Sequence, residues 1–70
     1  MKLTLNLSEH APYETGVYLI FYPNSRQYFI TTVDFVHDGQ GGRYLSAIGK
    51  NGFPDPGFAR WSCLWSEKLT

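Results

Sequence analysis

The sequence predicts an all-β fold: a small, twisted antiparallel sheet of about five strands in a single domain spanning all 70 residues. Two observations carry the prediction. Gly-Val-Tyr-Leu-Ile-Phe-Tyr and Gln-Tyr-Phe-Ile-Thr-Thr-Val-Asp-Phe-Val-His flank the polar stretch Pro23-Asn-Ser-Arg26, and both are rich in the β-branched and aromatic residues that suit a pleated surface. No stretch sustains the 3.6-residue apolar repeat of an amphipathic helix. Strands this long also leave open a closure into an SH3-like barrel.

The central hairpin is justified by its boundaries. The run from Val17 to Tyr22 is apolar throughout, so its periodicity does not separate strand from helix, but Gly16 and Pro23 confine it to strand length. In the second run Phe29, Thr31, Val33 and Phe35 alternate with Tyr28, Ile30, Thr32 and Asp34, a period of two. Eleven residues at about 3.3 Å each span some 36 Å, which leads us to expect a bend or bulge near Thr32 to Asp34.

The remaining elements follow in order. Residues 2–8 alternate Leu3, Leu5 and Leu7 with polar residues, which predicts a strand with one wet face at the sheet edge. A connection follows, with Tyr13 expected to fold back onto the core. Asp38-Gly-Gln-Gly-Gly42 reads as a flexible turn; it lacks the Gly-Lys-Ser/Thr ending and the following helix of a phosphate-binding loop. Tyr44, Ser46 and Ile48 share one face of a further strand, and Asn51-Gly52 is a strong hairpin signal. Phe53-Pro-Asp-Pro-Gly57 should lie outside any sheet, with Pro56-Gly57 at the centre of a type II turn. The last strand, residues 60–66, would place Trp61, Cys63 and Trp65 on one side.

Composition limits the chemistry. Folding a chain this short removes only about 60% of its surface from water, so five Tyr, five Phe and two Trp exceed what one small core can enclose. Six basic residues balance six acidic ones, which disfavours tight, salt-sensitive nucleic-acid binding. The lone Cys63 and the lack of an apolar leader or membrane-length segment point to a reducing, cytosolic setting and no membrane partner. His10, His37 and Cys63 stand at no recognised metal spacing, and Cys63 between two tryptophans reads as a small hydrophobe rather than a nucleophile. Asp34 and Asp38 read as strand-surface and turn residues. We therefore expect no catalytic residue, metal or cofactor.

The pattern Pro12, Gly16 leading into Tyr-Leu-Ile-Phe-Tyr, Gly52-Phe53, then Trp61 and Leu64 resembles a family of small phage and prophage proteins of unknown function. This chain differs in lacking prolines after the closing Trp-x-x-Leu and in adding the strand at residues 2–8. The resemblance implies a phage or mobile-element protein in the cytoplasm of a bacterial host. Proteins of that habitat often bind a host protein, and an anti-CRISPR inhibitor of a CRISPR–Cas complex is the expected kind. The partner-binding residues would be Tyr22, Arg26, Tyr28, Tyr44, Phe53, Phe58, Arg60 and Trp65, since aromatic residues and Arg carry most interface energy. The alternative is a module binding single-stranded nucleic acid, with Tyr18, Tyr22, Tyr28 and Tyr44 stacking on bases and Arg26 and Arg43 on phosphates.

Overall fold

The computed structural model describes residues 6–49 and 52–70. It is an open five-stranded antiparallel sheet in the order β4-β3-β2-β1-β5. The strands are β1 (Gly16–Tyr22), β2 (Gln27–His37), β3 (Arg43–Ile48), β4 (Pro54–Asp55) and β5 (Leu64–Trp65). A single 3-10 turn, Phe58–Arg60, is the helical element among the described residues.

The central hairpin forms as its boundaries require. Tyr22 pairs with Gln27 across the turn of residues 23–26. Arg26 closes that turn at φ 53°, in the left-handed region where four-residue hairpin loops commonly end. The second turn is held by Asp38, whose Oδ1 accepts the amides of Gln40 at 2.7 Å and Gly42 at 3.0 Å.

β2 uses its two edges at different ends: residues 27–33 pair with β1, whereas residues 32–37 pair with β3. Both registers run without an inserted residue, so the expected bulge does not occur. The expectation of a barrel is corrected for the same reason. A sheet staggered along one long strand grows lengthwise, to principal extents of 46 × 23 × 20 Å, rather than curling until β4 meets β5.

Period two sorts the side chains between two faces. On one, Tyr18 lies opposite Thr31, Ile20 opposite both Phe29 and Trp65, and Val33 opposite Ala47. This is the core face. Tyr18, Ile20, Val33, Ala47 and Trp65 are buried there with Phe58 and Cys63 from the covering segment. Trp65 is its centre: Trp61 stacks on it at 5.7 Å, and Tyr18 and Phe58 meet it edge-on at 6.3 and 5.9 Å.

Four local expectations are revised. Pro54 lies in a strand after all, because β4 is the outermost strand and its missing N–H is not needed there. Gly57 has φ −84° and ψ 12°, so it lacks the positive φ that the expected type II turn at Pro56-Gly57 requires. The expected strand at residues 60–66 contracts to Leu64–Trp65, since Arg60 belongs to the 3-10 turn and the Cys63 amide donates back to the Trp61 carbonyl at 2.9 Å. Tyr13 is 90% exposed and is not part of the core.

Of the predicted first strand, residues 2–5 lie outside the described residues, as does Asn51 of the Asn-Gly turn. The described end of that first segment does reach the sheet edge. Ser8 and Trp65 exchange two backbone hydrogen bonds, at 2.8 and 2.7 Å. After Trp65 the chain stays beside β1, with the amides of Ser66 and Leu69 donating to the carbonyls of Leu19 and Val17.

Candidate protein-binding face

The second face of the sheet is built from the alternate residues of the same strands. Across β5, β1 and β2, Leu64 lies beside Phe21 and Phe21 beside Tyr28; Leu19 lies beside Ile30 and Val17 beside Thr32. A solvent-facing sheet surface normally alternates to polar residues. Here it stays apolar from Leu64 and Phe21 to Leu19 and Ile30 and turns polar only at Thr32, and Tyr28 and Ile30 are 60% and 63% exposed. The Phe21 and Tyr28 rings stack at 4.6 Å and 29°, fixing a flat aromatic surface beside Ile30.

The backbone beside these residues is also partly open. Residues 27–31 of β2 precede the pairing with β3, and among the described residues no strand lies against Tyr28 and Ile30 on that side. An exposed strand edge flanked by apolar side chains is a template for association.

The eight expected partner-binding residues do not converge on one surface. Tyr28 and Tyr44 are on the second face, with Tyr44 39% exposed near the far end of β3. Arg26 is exposed in the hairpin turn, Arg60 on the 3-10 turn, and Phe53 is 69% exposed in the loop before β4. Tyr22 is half-buried on the core face, where it meets Phe29 edge-on. Trp65 and Phe58 are corrections. At 2% and 6% exposure both are core residues, because the sheet leaves one side for the covering loop to fill and the largest rings fill it. Sequence reasoning missed Phe21, Leu19 and Ile30; the uniform apolarity from Val17 to Tyr22 carried the signal, since a strand wet on one face would have alternated.

The stacking platform for nucleic acid is divided by the same alternation. Tyr18 and Tyr22 lie on the core face, Tyr28 and Tyr44 on the other. The Tyr18 hydroxyl is committed, donating to the Glu14 carbonyl at 3.0 Å. Arg43 lies 4.3 Å over the Phe35 ring.

The titrating groups follow burial. Burial pushes the Cys63 thiol up, keeping it protonated near neutrality, which is unfavourable for a nucleophile. The hydroxyls of Tyr18 and Tyr22 are also raised, both chiefly by burial. Glu14 and Tyr13 add to this at Tyr18; Cys63 and Asp55 add to it at Tyr22. Among the described residues no three His, Cys, Asp or Glu side chains gather in a metal-binding group.

Comparison with family models, with curated proteins and with solved structures found no match.

Proposed function

We propose that this protein is a non-enzymatic phage or mobile-element inhibitor that acts in the bacterial cytoplasm by stoichiometric binding to a host defence complex, CRISPR–Cas foremost. The observation that carries the binding role is the uncovered apolar face around Phe21, Tyr28 and Ile30. Exposed apolar surface of this kind is costly in water and is characteristic of protein interaction sites. Balanced charge supports a protein partner over nucleic acid, whose backbone rewards a basic surface. The choice of a defence complex rests on the sequence resemblance.

The test is a titration into DNA cleavage by purified CRISPR–Cas effector complexes, paired with a mobility assay on free single-stranded nucleic acid at several salt concentrations. The reading predicts that cleavage by one effector stops near one equivalent and that free nucleic acid does not shift. Undiminished cleavage by every effector, with a salt-dependent shift of free nucleic acid, would overturn it in favour of the nucleic-acid module.

A further inference from the structure

A cleft of about 670 Å³ opens at the end of the core face, between β2, the loop leading into β4 and the covering segment. Its walls include Tyr22, Phe29, Phe53 and Trp61, with Thr31 and Asp55 as polar groups. Asp55 is half-buried, and its geometry is fixed from two sides: Oδ2 accepts the Trp61 indole N–H at 2.9 Å and Oδ1 the Gly57 amide at 3.0 Å. Among the described residues the charge of Asp55 has no cationic partner; the ion pair found there joins Lys68 to Glu14. No Lys, Arg or His lies among the described residues of the cleft wall.

This arrangement favours a cation on a slender stem. Each oxygen of a carboxylate has a second lone pair after accepting one hydrogen bond, so Asp55 can still receive charged N–H donors. Aromatic faces attract cations through their quadrupole and prefer the flat, weakly hydrated guanidinium to a compact ammonium. The indole of Trp61 is held in place by its stacking on Trp65 and by its bond to Asp55, so the wall is preorganised.

We propose that this cleft receives the guanidinium of an arginine side chain from the partner polypeptide, paired with Asp55 and packed against Tyr22 and Trp61. The proposal rests on the inhibitor reading for the identity of the partner; the cleft itself is testable without it.

The probe is the blocked peptide acetyl-Gly-Arg-Gly-amide, titrated into the full chain while the indole N–H resonances are followed by NMR. The Trp61 signal should move saturably and the buried Trp65 signal should stay. Replacing arginine by citrulline, its neutral isostere, should weaken binding at least about tenfold. Asp55→Asn should weaken it as well, with a lowered melt because its single amide oxygen leaves either the Trp61 indole or the Gly57 amide without its acceptor. No saturable shift, or equal shifts with the citrulline peptide, would overturn the proposal, and the second comparison uses the unaltered protein. If the peptide fails while effector inhibition persists, the cleft is removed and the inhibitor reading stands; if the peptide binds and no effector is inhibited, the reverse holds.

Discussion

Replacing Trp65 by Ala tests whether this ring is the keystone of the core rather than a contact for a partner. The side chain is 2% exposed and touches three other aromatic rings, while its backbone joins β1 on one side and Ser8 on the other. Truncating a buried Trp or Phe to Ala costs about 3–5 kcal/mol. A domain of 70 residues at about 0.05–0.15 kcal/mol per residue holds roughly 3.5–10 kcal/mol in total. In a domain of this size each kcal/mol lowers Tm by about 4–8 °C, so the loss corresponds to roughly 12–40 °C. Far-UV circular dichroism against temperature and urea should show Trp65→Ala largely unfolded or melting far below the parent. Trp65→Phe, which keeps a ring at the site, should retain a cooperative transition. A Trp65→Ala protein melting within a few degrees of wild type would refute the packing argument and return Trp65 to the surface.

Other consequences follow from local geometry. Asp38→Ala removes the acceptor for two turn amides and should cost about 1 kcal/mol in urea denaturation, with the sheet intact. Arg26 holds a left-handed conformation that costs an L-residue about 1–2 kcal/mol, against about 0.5–1 for the added chain entropy of glycine. Arg26→Gly should therefore leave stability unchanged or raise it by up to about 1.5 kcal/mol, and a clear loss would show that the Arg26 side chain is anchored. Cys63, Tyr18 and Tyr22 have folded pKa values above their ordinary 9.0, 10.0 and 10.0. The unfolded chain thus loses these protons first, so their contribution is complete below pH 9 and is lost as pH rises through 9 and 10. Between its unfolded and folded values each group removes up to about 1.4 kcal/mol per pH unit. Urea midpoints measured from pH 7 to 11 should fall on the alkaline side, and Cys63→Ser should delay the onset.

The strands and turns were legible because their signals are local. Gly16 and Pro23 bound β1, alternation sets the face of Phe29, Thr31 and Val33, and Asp38 has a short polar side chain that caps its own turn. What the sequence did not disclose depended on which elements pair at a distance. Nothing local says that β2 gives opposite edges to β1 and β3 at different ends, and that stagger is what keeps the sheet open. Trp61, Cys63 and Trp65 share a parity, yet the chain reverses at Ser62, and the two indoles stack through that reversal rather than along a strand. The count of aromatic rings correctly implied that some remain outside. Which ones do was decided by the face that the Phe58 loop covers, leaving Tyr28 and Ile30 in water while Trp65 and Phe58 went in.

The decisive measurement is the affinity of the Tyr28→Ser, Ile30→Ser double variant for whichever effector complex the proposed titration finds the parent protein to inhibit. Both side chains are more than half exposed, so the variant should stay folded; Tyr28→Ser gives up the stacking on Phe21, about 0.5–1.5 kcal/mol, and Ile30→Ser costs about 0.5 kcal/mol. Truncating central aromatic anchors costs about 2 kcal/mol or more in binding, so the two together should weaken affinity at least about thirtyfold. Undiminished binding by a correctly folded variant would contradict the assignment of this face to a partner.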